Sequence, residues 1–168
     1  MKPFEVYSIY DINIVRAEGS YVYDDKGTQY LDMYGGHAVV SVGHGNKRYC
    51  EAITDQLSKI GFYSNSVIIE QQKALAQRLG ELSDKKDYAL FMCNSGAEAN
   101  ENALKLASFH TSRSKVICFS GAFHGRTSLA VAITDNAKIV APINQTDNIV
   151  RLPFNDVEAL VAEFDSQG

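Results

Sequence analysis

Apolar and polar positions alternate in short runs along the first part of the chain, and then the period changes. Ile12 to Val15, Tyr21 to Tyr23 and Gln29 to Met33 carry the alternation, with Asp-Asp-Lys-Gly at 24–27 between the last two. A two-residue period broken by a turn signal predicts a small antiparallel meander. Gly35, Gly36, Gly43 and Gly45 punctuate the loop that follows. From about Asn46, residues Tyr49, Ile53, Leu57 and Ile60 recur at three- and four-residue spacing, which predicts an amphipathic helix closed by Gly61. A second helix is expected from about Val67 to Leu82, with Leu75, Leu79 and Leu82 on one face.

Beyond the polar break at 83–87 the apolar runs become continuous. Tyr88–Cys93 and Lys115–Ser120 fit buried strands, and Asn148–Pro153 a third. A helix is expected from Ala97 to about His110, and another after Asn155-Asp156 on Val157, Leu160, Val161 and Phe164. Strands alternating with helices predict an α/β fold with a largely parallel sheet.

Composition narrows the function classes. The 168 residues are 45% hydrophobic and 21% charged with 12 Gly and 3 Pro, which excludes a collagen-like, low-complexity or disordered chain. A net charge of −4 argues against a dedicated nucleic-acid module, so no nucleic-acid partner is expected. Cys50, Cys93 and Cys118 are too few and too far apart for a disulfide framework or a paired-cysteine metal site; reduced, buried thiols and no metal centre are expected. No apolar run suits a signal peptide or a bilayer span, so the expectation is a soluble, cytoplasmic protein without a membrane partner.

Several catalytic motifs are missing: there is no Gly-Lys-Ser/Thr phosphate loop, no HExxH and no GxSxG elbow. The informative segment is Cys93-Asn-Ser-Gly-Ala-Glu-Ala-Asn-Glu101, where an apolar run turns directly into a helix. The first helical N–H groups lack intrahelical partners and the helix dipole adds positive potential, so the turn suits a phosphate. Ser95-x-x-Glu98 equally spells a capping box, which needs no ligand. The second segment is Gly121-Ala-Phe-His-Gly-Arg-Thr127, after the next apolar run. Both segments fall where open α/β sheets gather ligands. Phe123 can stack on a flat ring and the Arg126 guanidinium can grip a carboxylate; a packed Phe and a surface Arg are the plainer alternative.

Asn94-Ser-Gly-Ala-Glu-Ala-Asn-Glu101 together with Ala122-Phe-His-Gly-Arg-Thr127 resembles the class-III pyridoxal-phosphate aminotransferases, and within them the acetylornithine branch. The resemblance extends to Gly19–Asp32 and the Gly43-His44 pair, nearly end to end. It implies a fold-type-I α/β transferase: an N-terminal small-domain segment over residues 1–62, then the first part of the large cofactor-binding domain over 63–168. It implies that Ser95, Gly96 and Ala97 bind the phosphate of pyridoxal 5′-phosphate, that Phe123 stacks on its ring, and that Arg126 holds a substrate carboxylate. Tyr7 stands where related ornithine enzymes place a substrate-contacting tyrosine. His37 replaces a residue that is apolar in acetylornithine enzymes and tyrosine in ornithine enzymes; contact with the substrate's distal end and simple packing both fit it. Of the other histidines, His44 follows a glycine in a loop, His110 suits the C-terminal end of its helix, and His124 fits a buttress for Arg126.

The family's members are more than twice this long, and none of the lysines here stands in the context of the Schiff-base lysine. The resemblance therefore implies an N-terminal portion with no catalytic residue of its own, inactive and poorly stable alone, with Tyr88–Cys93 left unpaired beside missing strands. The implied complete enzyme is a homodimer that moves the terminal amino group of N-acetylornithine or N-succinylornithine to 2-oxoglutarate, in arginine biosynthesis. Ornithine or 4-aminobutyrate aminotransferase of the same class is the nearer alternative, although His124 favours the acetylornithine branch. A non-catalytic binding fragment is the alternative from another class.

Overall fold

The computed structural model describes residues 1–166 and divides the chain into two compact units, residues 1–70 and the remainder from Gln71. In the first unit, β1 (Ile14–Glu18), β2 (Tyr21–Asp24) and β3 (Gln29–Leu31) form the expected antiparallel meander in the order β1-β2-β3. β1 begins two residues later than the alternation suggested, with a bulge between Ile14 and Arg16. Asp24 makes the turn into β3: its Oδ1 accepts the N–H of Lys26 at 3.0 Å and of Thr28 at 2.7 Å, while Oδ2 accepts the Tyr30 hydroxyl at 2.9 Å. Gly27 takes the positive φ of +83° that the tight turn requires.

The glycine-rich loop contains a short turn, α1 (Gly35–Ala38), whose Gly36, His37 and Ala38 sit at φ near +60°. α2 (Lys47–Lys59) starts where expected because the Asn46 side chain accepts the Tyr49 N–H at 3.0 Å, and Asp55–Lys59 adds an i,i+4 pair at 2.7 Å. α3 (Glu70–Ser83) starts three residues after the predicted Val67.

The second unit holds α3 from Gln71 onward, α4 (Gly96–Thr111), β4 (Val116–Phe119), α5 (Ser128–Ala132), β5 (Ile149–Leu152) and α6 (Val157–Ser166). β4 and β5 pair in parallel, Val116 opposite Ile149 through Phe119 opposite Leu152. The apolar pattern does not reveal α5, yet its Ala130 and Val131, with Cys118, Gly125, Ile133 and Thr134, are the buried residues among those described in this unit. Arg151 of β5 closes the end of α5 by donating to the carbonyls of Ala132, Ile133 and Thr134 at 3.2–3.3 Å.

Two expectations need correction. Tyr88–Cys93 does not form the buried strand its apolar run suggests; it joins no described strand and Leu90, Phe91 and Met92 are exposed, in line with the expectation for the segment without its neighbouring strands. An apolar run becomes a strand only when a neighbouring strand takes its N–H and C=O groups; apart from the Tyr88 N–H, which turns back to the Lys85 carbonyl at 3.1 Å, no described segment does so. Of the three cysteines, only Cys118 is buried, and burial pushes its thiol pKa up; Cys50 and Cys93 are exposed.

Candidate functional site

The site candidates of the second unit gather at the start of α4. Ser95, in extended conformation, caps the helix: its Oγ accepts the Glu98 N–H at 3.2 Å, and the Glu98 carboxylate reaches back to accept the Asn94 N–H at 2.6 Å. The capping box that the sequence spells is therefore formed. It leaves the N–H groups of Gly96 and Ala97 with no protein acceptor among the described residues. Ser95 and Gly96 are exposed, and a Cβ added at Gly96 would meet nothing within 4 Å. An open helix start with unspent donors fits a phosphate group, and here it coexists with the cap.

The loop after β4 lies against this helix start. Gly125, buried and at φ +132°, packs so closely that a Cβ there would fall 2.6 Å from Ala97 Cβ and 3.0 Å from its Cα. The neighbours of Gly125 are tied down on both sides. The His124 N–H donates to Thr134 Oγ1 at 2.9 Å, and its carbonyl accepts from Asn100 Nδ2 at 2.8 Å. The buried Thr134 hydroxyl also lies 3.2 Å from the Gly125 carbonyl and 2.9 Å from that of Ala130.

Glu101, one and a half turns into α4, holds the far end of the loop. Its Oε1 accepts the Thr127 hydroxyl at 2.8 Å and the N–H groups of Leu129 and Ala130 at 2.7 and 2.9 Å. Burial alone would raise this carboxyl's pKa. The hydrogen bonds from Ala130, Thr127 and Leu129 outweigh it and hold the group below the usual glutamate value.

On this frame Phe123 is 64% exposed, free to meet a flat ring, and the Arg126 guanidinium stands 5.9 Å from its ring centroid. The structure thus brings Ser95, Gly96 and Ala97 together with the loop of Phe123 and Arg126. The contact is carried by residues to which the sequence reading assigned no role: Gly125, Asn100, Glu101 and Thr134. Gly125 was the findable one, because a glycine between two candidate side chains signals close approach of backbone. The partners of Asn100 and Glu101 lie some 24 to 29 residues away, and no local pattern marks them.

In the first unit, Tyr7 is exposed in a segment without regular structure. His37 is hydrogen-bonded to the Tyr34 hydroxyl within the left-handed turn. His44 pairs Nε2 with Asp32 Oδ2 at 2.7 Å and exchanges backbone hydrogen bonds with Gly19, both at 2.9 Å, so it ties the glycine loop to the meander. Asp32 Oδ1 accepts the N–H groups of Tyr34 and Gly35 at 3.0 and 2.8 Å. Together with His44, these contacts hold its carboxyl below the usual aspartate value. Among the described residues no cluster of three His, Cys, Asp or Glu side chains is placed to hold a metal ion, and no helix is long and apolar enough to cross a membrane.

The pattern of the family described as Aminotransferase class-III matches residues 4–167. The acetylornithine aminotransferase of Archaeoglobus fulgidus is 39% identical over 164 residues, covering 97% of this chain and 43% of that protein. That of Listeria monocytogenes is 39% identical over 163 residues, covering 96% and 42%. The chain thus spans less than half the length of these relatives. Among solved structures, taurine:2-oxoglutarate aminotransferase from Bifidobacterium kashiwanohense, in complex with pyridoxal phosphate and glutamate, superposes with a TM-score of 0.81 over 99% of this chain and 42% of that one. At 24% identity, that likeness establishes the fold, the type-I α/β transferase fold. A family pattern that runs almost the whole length of the chain decides the matter: the chain belongs to the class-III aminotransferases, whose cofactor is pyridoxal 5′-phosphate.

Proposed function

We propose that this chain is part of an aminotransferase that takes the terminal amino group of an N-acylated ornithine, acetyl or succinyl, and passes it to 2-oxoglutarate in arginine biosynthesis. The observation that supports the reading is the packing of Gly125, which lies between Phe123 and Arg126 in sequence, on Ala97, whose N–H and that of Gly96 have no acceptor among the described residues. The names of the relatives at 39% identity support the substrate. In this reading Ser95, Gly96 and Ala97 take the cofactor phosphate, and Phe123 lies against the ring. Arg126 grips the substrate's carboxylate with two parallel N–H donors, which fixes the distance of the amine from the ring. When bound, the cofactor supplies the electron sink for moving the amino group. Tyr7 is assigned as a substrate-contacting residue, and His37 to the substrate's distal end. The Schiff-base lysine is assigned to sequence outside residues 1–168, and the complete enzyme is taken as a cytoplasmic homodimer.

The test uses the full chain as its gene encodes it. With 2-oxoglutarate as acceptor, N-acetylornithine or N-succinylornithine should be the best donor, ahead of ornithine and 4-aminobutyrate. Arg126→Ala should raise the KM of that donor roughly 10- to 150-fold, the loss of a charge-assisted pair worth about 1.5–3 kcal/mol, with cofactor content nearly unchanged. Faster turnover of ornithine or 4-aminobutyrate would move the substrate to that branch, and an unchanged KM would remove Arg126 from the site.

A further inference from the structure

We propose that Glu101 is a positioning residue for Arg126, so that one helix both offers its N-terminus to the phosphate and clamps the loop that presents the substrate-binding guanidinium. The proposal rests on the reading of Arg126 given above. α5 has only five residues, and its N-cap Thr127 makes no capping bond of its own. The first N–H groups of α5 would be left without acceptors, and Glu101 Oε1 takes those of Leu129 and Ala130 together with the Thr127 hydroxyl. Three donors converging on one half-buried oxygen call for an ionised acceptor that carries no proton of its own. Arg126 directly precedes these donors. On its other side, Asn100, next to Glu101 on α4, holds the His124 carbonyl. With Gly125 wedged against Ala97, the backbone entering and leaving Arg126 is fixed to α4 at three points within one loop.

The function of such a clamp is specific. It does not touch substrate, and it lies beyond the helix start that would hold phosphate. Its loss should therefore loosen the grip on the substrate's carboxylate and spare the cofactor. Glu101→Gln keeps the shape and removes the charge from all three bonds, while Thr127→Val deletes a single donor.

In the full chain, assayed with N-acetylornithine and 2-oxoglutarate, Glu101→Gln should raise the donor's KM about five- to tenfold with kcat little changed. Thr127→Val should move KM the same way by less. The Kd for pyridoxal phosphate should stay within about twofold, and hydrogen exchange at the Leu129 and Ala130 amides should quicken while α4 keeps its protection. Adding Glu101→Gln to Arg126→Ala should cost nothing further in KM, since one acts through the other. If Arg126→Ala raises KM and both clamp variants leave it alone, the positioning role is overturned and the reading of Arg126 stands. Additive losses in the double variant, or cofactor affinity falling in step with KM, would mark a merely structural glutamate and overturn it too. A KM untouched by Arg126→Ala would overturn both.

Discussion

At the residue scale, the chemistry depends on a few atoms whose surroundings leave little freedom. Gly125 combines a φ of +132° with a backbone approach that a methyl group would bring to 2.6 Å of Ala97 Cβ. Neither the conformation nor the space suits an L side chain. Gly125→Ala is expected to destabilise the loop by about 1–3 kcal/mol. It should lower both cofactor affinity and substrate affinity, because it pushes the loop off the helix start; cofactor titration of the purified variant checks this. Asp32 acts in the other unit. Its carboxyl is held low chiefly by the His44 hydrogen bond and the Gly35 N–H, so its contribution to stability is present above the ordinary aspartate value and is lost as pH falls through the lowered one. Asp32→Asn should therefore reduce the thermal midpoint of the full chain at pH 7. The gap from the wild type should close as the pH drops below about 4. A gap that persists unchanged at low pH would show that the ionised carboxylate is not what holds the Tyr34–Gly35 turn.

At the scale of elements, the start of α4 is capped and still leaves backbone donors unspent among the described residues. Ser95 spends its hydroxyl oxygen on the Glu98 N–H, and the helix is capped whether or not an anion is present. The two preceding N–H groups of the helix are left without an acceptor among the described residues. Ser95→Ala should cost about 0.5–2 kcal/mol in stability through the lost cap. It should also weaken pyridoxal phosphate binding by more than a cap variant elsewhere does. Asn46→Ala, which removes the cap of α2 and its 3.0 Å bond to Tyr49, is the matched comparison. Equal effects of the two variants on cofactor affinity would argue that Ser95 is a cap alone. α5 shows the reverse dependence: too short to stand on propensity, it is held by Glu101 at its start and by Arg151 at its end.

At the scale of the whole molecule, many large apolar side chains stand exposed. The chain exposes 14230 Å². A compact protein of this mass would expose about 8200 Å², and two separate compact units of half the mass about 9900 Å². The excess includes Phe91 and Phe109, 62% and 73% exposed, and the segment Tyr88–Cys93, which joins no strand among the described residues. Folding free energies are only about 5–15 kcal/mol, so a chain that forgoes so much burial has little margin. Residues 1–168 expressed alone are expected to aggregate or to lack a cooperative thermal transition, and to show no transaminase activity. A monomer with a sharp calorimetric transition would contradict this, and would mean that Tyr88–Cys93 finds a partner within these residues.

The sequence by itself determined whatever depends on neighbours within about one turn or one hairpin. The meander follows from alternation and the Asp24–Gly27 turn, and α2 and α4 from their periodicity and the caps Asn46 and Ser95. The capping box, the helix start suited to phosphate and the family resemblance were legible for the same reason: each sits in a contiguous motif. Tertiary structure decided the rest. Whether Tyr88–Cys93 is a strand depends on a partner that its own residues do not encode. That α5 is the buried element follows from contacts with Glu101 and Arg151, tens of residues away. The juxtaposition of the two candidate segments rests on the absence of a Cβ at Gly125, and a missing atom acquires meaning only when another part of the chain is packed where it would have been.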